Sequence, residues 1–411
     1  MCFFGKVARE AGLTTDSAMR RQVIDANGES KGGPMRIALI AFHFAEYISR
    51  LALALAREHP VLLLLGVQNA EADLLPSLRD QVSAACEVHF IPHRRLTDLS
   101  LALTVARTVR MVDAFHPDVL HIQENLDHDF FWPVWILNRR VPTVMTMHDP
   151  VAHSGLDADY ARRLYPRIYS KILRRRADRL IVHGERIREQ FLAVNRCPAS
   201  RVQSVMHGAL GDPAAVQVPE PFGSTLLFFG RVETYKGLGV LLDALDLLRD
   251  EPQPVRLIIA GRGSELQRYR DRIAYDPRIE LLDRFINASE VTPLFLRSTV
   301  VVLPYLDASQ SGVAALAASY HRPVIASAVG GLPDMVHDGE SGILVPPSDP
   351  VALAAAIRRV CSDPAFLRQL AAGAGARATG ELSWRNIAQA TAAVYRAAIA
   401  ARAGESAPLP S

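Results

Sequence analysis

The residues best suited to chemistry lie in the segment Gly230-Arg231-Val232-Glu233-Thr234-Tyr235-Lys236-Gly237. Phe228-Phe229-Gly230-Arg231 ends a short apolar run, and Lys236-Gly237 opens a helical pattern just beyond it. Glycine lets a ligand approach the backbone closely. Arginine offers a planar fork for phosphate oxygens and lysine a point charge. A strand end, two cations and a helix N-terminus together make a diphosphate site. The plain alternative is a surface loop with two solvated cations. The position at the carboxyl end of a strand, where open parallel sheets bind ligands, favours the site.

Two further places carry weaker signals. Leu303-Pro304-Tyr305 ends an apolar run, and Ser309-Gln310-Ser311-Gly312-Val313 leads from it into an Ala-rich helix. The free backbone N–H groups of Ser311, Gly312 and Val313 suit an anion. A plain N-cap by Ser309 or Ser311 is the compatible, simpler reading. Thr146-Met147-His148-Asp149-Pro150 puts a His beside an Asp at another strand end. Such a pair can touch a sugar hydroxyl or share a proton, although most pairs of this kind are structural.

The elements that must position these residues are short apolar runs alternating with amphipathic helices. In the first half the runs are 36–41, 61–65, 88–91, 119–122, 143–147 and 179–182, with helices expected near 47–58, 74–84, 98–115, 129–138 and 158–177. In the second half they are 225–229, 256–259, 279–282, 300–303 and 324–326, with helices near 237–249, 264–273, 289–297, 311–320, 350–361 and 383–402. Strands without polar alternation, separated by helices, imply parallel sheets covered on both faces. The Pro-rich stretch from Gly211 to Pro221 interrupts the rhythm and reads as a linker. The expected class is therefore α/β, with doubly wound Rossmann-like domains at 35–215 and 222–382 facing a cleft. A helix over 383–402 follows, residues 1–34 read as a loose extension or an early start, and 403–411 as a disordered tail.

Composition narrows the function classes. With 46 Lys and Arg against 43 Asp and Glu, the net charge of +3 is too small to argue for nucleic acid. Cys2, Cys86, Cys197 and Cys361 are widely spaced with no CxxC pair, which argues against a disulfide framework or a zinc site and for a reducing cytosol. The longest apolar stretch, from Leu51 to Val67, is broken by Arg57-Glu58-His59-Pro60, short of the ~20 apolar residues a membrane span needs. Asp157-Ala158-Asp159 spells a metal-binding DxD, but acids at a helix start explain it, and no metal is expected. The basic helix from Arg162 to Arg179 could rest on anionic lipid; a solvated surface face is the simpler reading. Trp132, Trp135 and Ile136 read as a buried helix face rather than an exposed patch.

Taken together, Gly230-Arg231…Lys236-Gly237, Ile259-Ala260-Gly261-Arg262-Gly263, Val329-Gly330-Gly331-Leu332-Pro333-Asp334 and Asp338-Gly339 through Pro346-Pro347 resemble the retaining family-4 glycosyltransferases of GT-B fold. The resemblance runs from Met35 to about Arg402 and is strongest from Phe228 to Ala355. It implies that Arg231 and Lys236, with Gly230 and Gly237, bind the diphosphate of a nucleotide-sugar donor. It places the loop Asp283-Arg284-Phe285-Ile286 against the nucleobase, Arg262 and the turn Gln310-Ser311-Gly312-Val313 at the donor, and His148 near the sugar. It further implies that the helix opening at Ser383-Trp384-Arg385 crosses back onto the first domain. No cofactor or metal is expected beyond the donor as co-substrate, and the acceptor would be a saccharide or a lipid-linked species.

Two features depart from the family pattern. Its two glutamates, separated by seven residues, are replaced by Ala308 and Leu316, as in a branch with a Gln-Ser-Gly-Val turn, and Asp307 stands beside the first position. The loop Phe42-His43-Phe44-Ala45-Glu46-Tyr47 is crowded where glycines are usual. A phosphorylase or sugar-nucleotide epimerase on the same fold, or a binding protein that has lost catalysis, are the competing readings.

Overall fold

The computed structural model describes residues 33–95, 97–98, 100–124, 128–150, 164–211 and 223–404. The chain from Met35 on forms one compact unit. The expectations for residues 1–32, Asp157-Ala158-Asp159, the start of the basic helix, most of the 211–221 linker and the tail from 405 lie outside the described residues.

The first half alternates β1 Ile37–Ala41, α1 Ala45–Leu55, β2 Val61–Gly66, α2 Val67–Asp73, α3 Pro76–Ala85, β3 Glu87–Ile91, α4 Leu101–Phe115, β4 Val119–Gln123, α5 His128–Leu137, β5 Thr143–Met147, α6 Leu164–Arg176, β6 Arg179–Val182, α7 Glu185–Val194 and β7 Val202–Ser204. The strands form a parallel sheet in the order β3-β2-β1-β4-β5-β6-β7. β1, β2, β4 and β5 are buried along their whole length, which is why their sequences show no alternation.

The second half contains β8 Thr225–Phe229, α8 Leu238–Asp246, β9 Arg256–Ala260, α9 Glu265–Tyr275, β10 Ile279–Leu282, α10 Ala288–Arg297, β11 Val300–Leu303, α11 Gly312–Ser319, β12 Val324–Ser327, α12 Leu332–Met335, β13 Gly342–Val345, α13 Pro350–Ser362 and α14 Pro364–Thr379. Its parallel sheet runs β10-β9-β8-β11-β12-β13. In both sheets the strand order reverses beside the first strand, at β1/β4 and at β8/β11. The loops at such switch points are where open α/β sheets hold ligands.

Helix starts follow local chemistry. Asp349 accepts from Ala352 N at 2.9 Å to cap α13, and Asp363 accepts from Phe366 N at 2.9 Å to cap α14. Asn287 and Glu290 form a reciprocal capping box on α10. The last helix, α15 Trp384–Arg402, follows the second sheet in sequence but packs in the core of the first. Ile387, Ala392, Tyr395 and Ala398 are buried in that core, where the helix packs on α1, β4, β5 and β6. Trp384 Nε1 donates to Ala209 O at 2.6 Å, and Arg402 Nη2 donates to Asn138 O at 2.6 Å, pinning both ends. This is a GT-B arrangement, with a terminal helix crossing back.

The structure differs from the sequence expectation at several elements. The helix expected over 47–58 spans Ala45–Leu55, and α8 starts at Leu238 after a 3-10 turn over Thr234–Lys236. α2, α7, α12, α14, β7 and β13 were not expected. α2, α12, β7 and β13 are short and α14 is rich in Ala and Gly, whereas α7 is a plainly amphipathic ten-residue helix that buries Ile187 and Phe191. Trp132, Trp135 and Ile136 pack, partly buried, against the first sheet's core. Among the described residues no helix is long and apolar enough to cross a membrane.

Candidate functional site

The loop after β8 is laced to the loop after β9. Gly230 N donates to Ala260 O at 2.9 Å, and Val232 N to Arg262 O at 2.9 Å. Gly261, at φ +145°, lies so close that a Cβ there would stand 1.9 Å from Gly230 O. The β8 loop also abuts the loop after β11. Leu306 N donates to Tyr235 O at 2.7 Å, and a Cβ on Gly237 (φ +69°) would stand 1.9 Å from Pro304 O. These glycines are needed for backbone-to-backbone approach. They hold three strand-end loops as one rigid floor.

On that floor Lys236 is buried, and its Nζ donates to the hydroxyl of buried Tyr305 at 3.1 Å. A methyl added at Gly230 would lie 3.3 Å from Lys236 Nζ and 3.8 Å from Val313 Cγ2, so the three residues meet. Arg231 is exposed on the same loop. Arg262 is exposed too, its guanidinium 6.0 Å from the ring of half-exposed Phe285, while Ile286 is buried beneath. The structure thus brings Gly230, Lys236, Gly237 and Val313 together, and sets Arg262 beside Phe285.

The turn before α11 is built differently from a plain N-cap. Ser311 occupies the cap position, but its side chain makes no capping bond. Ser309 Oγ instead donates to Asp149 Oδ1, joining the second half to the first. Gln310 is half-buried, and its Oε1 is buried without a hydrogen-bond partner. Gly331 N donates to Ser309 O at 2.9 Å, so the Gly330-Gly331 motif backs this turn. Ala308 is buried and Leu316 half-buried, so the two positions where the resemblance expects glutamates carry no charge.

Across from this turn, His148 follows β5. It is only 2% exposed. Its ring stacks on that of Phe44, with centroids 3.7 Å apart and planes at 18°. Nε2 lies 2.7 Å from Gln123 Oε1, while Nδ1 is buried with no partner. His183, His207 and Tyr47 surround it, with ring centroids 4.9–6.1 Å away. Burial, with the neighbouring imidazoles, pushes His148 well below the ordinary histidine range. Burial likewise pushes His121 and His183 down to about 3 and His207 to about 4. All four are neutral imidazoles at neutral pH.

A second contact joins the halves. α7 begins after Gly184, which has no side chain with which to cap. Asp334, from the Gly-Gly-Leu-Pro-Asp motif, supplies the cap instead, with Oδ2 accepting from Arg186 N at 2.9 Å. The sequence pairs Asp149 with His148, names Tyr305 and Asp334 only as motif members, and does not single out Gln123, His183 or His207. Alternation in Val119-Leu120-His121-Ile122-Gln123 is the one signal that sets His121 and Gln123 on a common face. Among the described residues no three His, Cys, Asp or Glu side chains are grouped to hold a metal.

Known proteins share this architecture. Residues 223–363 match the family described as glycosyl transferases group 1, and residues 44–207 match the glycosyl transferase 4-like domain. The chain is 31% identical over 308 residues to a glycogen synthase of Mycobacterium tuberculosis, covering 72% of each protein. It is 31% identical over 230 residues to a D-inositol 3-phosphate glycosyltransferase of Streptomyces bingchenggensis, covering 53% of this chain and 48% of that one. In fold it is similar to sucrose-phosphate synthase of Thermosynechococcus elongatus, with a TM-score of 0.65 at 22% identity over 89% of this chain and 100% of the other. It is similar also to Anabaena HepE solved with UDP-glucose, with a TM-score of 0.65 at 18% identity over 87% and 98%. A chain with this pair of sheets, this floor of strand-end loops and these matches across both halves belongs to the group 1, GT4-type glycosyltransferases.

Proposed function

We propose that the protein is a retaining, metal-independent hexosyltransferase. It moves a sugar from a nucleoside diphosphate to a saccharide or lipid-linked acceptor in polysaccharide or glycoconjugate synthesis. The observation that carries this reading is the meeting of buried Lys236, Gly230 and Val313 at the β8/β11 switch point. A cation there, with Arg231 and the N–H groups of Gly312 and Val313, neutralises a departing diphosphate without a metal. Arg262, Phe285 and Ile286 form a lip for the nucleobase, and Gln310 and Ser311 line the sugar side. His148 orients the sugar. HepE, of the same fold, was solved with UDP-glucose, and the mycobacterial relative is a glycogen synthase.

The bond from the anomeric carbon to the diphosphate oxygen breaks, and its electron pair stays on the phosphate. The acceptor hydroxyl attacks from the same face and passes its proton to that phosphate oxygen. This front-face route needs no enzyme nucleophile, and Glu233, the buried carboxylate of the β8 loop, is engaged by Ser264 Oγ at 3.2 Å. Closure of the halves would exclude water. Lys171, Arg175 and Arg176, exposed on α6, are the residues that would meet an anionic membrane.

The test is to incubate the purified chain with UDP-glucose or ADP-glucose and follow release of the diphosphate. Anomeric proton signals then report the configuration of any product. Slow donor hydrolysis that disappears in Lys236→Ala supports the reading. A product of inverted configuration sinks retention. Strict dependence on orthophosphate would mark a phosphorylase, and conversion of the sugar nucleotide without acceptor an epimerase. Tight nucleotide binding without turnover of any donor would leave a binding protein.

A further inference from the structure

Behind His148 lies a chain of buried polar groups that the proposed chemistry does not use. His121 and Gln123 stand two residues apart on β4 and are fully buried. His121 Nδ1 is 2.6 Å from the hydroxyl of Tyr395, which comes from α15, and His121 Nε2 is 2.8 Å from Thr146 Oγ1. Gln123 Nε2 is 3.3 Å from His121 Nε2, and Gln123 Oε1 is 2.7 Å from His148 Nε2.

A neutral imidazole has one donor and one acceptor nitrogen. A carboxamide has a donor end and an acceptor end, so Gln123 fixes the two imidazoles it touches in a correlated way. Its amide N–H donates to His121 Nε2. That leaves the His121 proton on Nδ1, donated to Tyr395. Its carbonyl oxygen accepts from His148 Nε2–H, which leaves the His148 lone pair on Nδ1. The carboxamide nitrogen faces His121 and its oxygen faces His148, and at the buried, unpartnered Nδ1 a bare lone pair is better tolerated than an orphaned N–H. The neighbours are anchored otherwise. His183 Nδ1 donates to Val205 O at 2.9 Å, and His207 Nδ1 to Gly208 O at 2.8 Å. Backbone carbonyls set those two tautomers, whereas a side chain sets that of His148.

We propose that Tyr395, His121 and Gln123 are positioning residues: a relay from the crossing helix that holds His148 in its Nε2–H form and keeps Nδ1 free to accept a hydrogen bond from a donor-sugar hydroxyl. The last part rests on the glycosyl-transfer reading above. The relay itself does not, because it is a property of the free protein. It gives α15, which follows the second sheet in sequence, a direct hand in the first-half site.

Long-range proton–nitrogen correlation spectra of the full chain, labelled with 15N-histidine, read each tautomer directly. The expected wild-type pattern is Nε2–H at His148 and Nδ1–H at His121. Gln123→Met removes both amide contacts at nearly constant volume. His148 should then become a mixture of tautomers, while His121, still held by Thr146 and Tyr395, keeps Nδ1–H. Tyr395→Phe removes the acceptor for His121 Nδ1–H. His121 should shift toward Nε2–H, Gln123 should turn over, and His148 should populate Nδ1–H. Turnover of UDP-glucose should fall about tenfold in each variant, the equivalent of one hydrogen bond. Nδ1–H at His148 in the wild type overturns the relay. So does an unchanged His148 pattern in both variants when their spectra remain those of folded protein. If the tautomers shift as expected but His148→Ala turns over UDP-glucose like the wild type, the relay stands and His148's part in transfer is overturned.

Discussion

The ring of Phe44 lies flat on that of His148, 3.7 Å between centroids, and Phe44 holds a left-handed backbone conformation at φ 61° to reach it. A non-glycine residue in that region costs on the order of 1–2 kcal/mol. A ring stack returns about 0.5–1.5 kcal/mol. The loop thus accepts backbone strain to set an aromatic ring on the histidine.

Phe44→Gly should therefore relieve the backbone and lose the stack, with a net stability change under about 1 kcal/mol in urea unfolding. Phe44→Ala loses the stack but keeps the strain and should be the less stable of the two. In Phe44→Gly the uncovered His148 should react with diethylpyrocarbonate several-fold faster, as read by peptide mass spectrometry. Equal reactivity in the wild type and the glycine variant would show that Phe44 does not cover the site.

Lys236 has a buried ammonium beside Tyr305 and Gly230. Lys236→Ala should lower diphosphate release from UDP-glucose by on the order of 10²–10³, the usual loss when one preorganised charge stabiliser is removed. Thermal stabilisation by UDP should shrink in parallel. Lys236→Arg should not restore activity, because a planar guanidinium does not fit a pocket shaped for a point charge. Wild-type rates in Lys236→Ala would take the lysine out of the donor site.

The floor was largely legible in the sequence because it is local. Gly230 to Gly237 is one continuous segment, and the strands that carry it are unbroken apolar runs. The wall formed by the first half was not. Tyr395 meets His121 across 274 residues of chain, and no periodicity announces that pairing. The Asp334–Arg186 contact joins residues 148 apart. β13 and α14 escaped for another reason. β13 opens with glycine, and α14 is too rich in small residues to show a one-sided pattern. The crowding of the 42–47 loop was visible, but its target, His148, emerges only when β1 and β5 lie in one sheet.

Asp334 caps α7 from the other half of the molecule, in place of the side chain Gly184 lacks. Asp334→Ala should cost about 1 kcal/mol, as for other lost caps. Asp334→Asn keeps an acceptor oxygen and should cost less. The more telling measurement is hydrogen exchange. The Arg186 amide should exchange markedly faster in Asp334→Ala, while amides in β8 and β9 stay protected. Unchanged Arg186 protection would mean that the carboxylate does not hold the helix start.

The buried histidines make stability fall on the acid side. His121 and His183 are pushed down to about 3 and His207 to about 4 in the fold, chiefly by burial. The unfolded chain has histidines near 6.5. Above that pH neither state binds protons at these sites, and their neutral forms are fully accommodated. Between about pH 6.5 and 4 the unfolded state takes up protons that the folded state refuses, so stability must drop as pH falls. Each histidine contributes about 1.4 kcal/mol per pH unit inside that window, and His148, also held neutral by burial, adds to the slope in the same direction. Urea midpoints measured from pH 7.5 down to 4.5 should be flat above 6.5 and then fall steeply. His207→Asn, which can still donate toward Gly208 O, should remove about a quarter of the slope while leaving the plateau near its original height. A midpoint that stays level down to pH 5 would show that these rings take up protons freely in the folded protein.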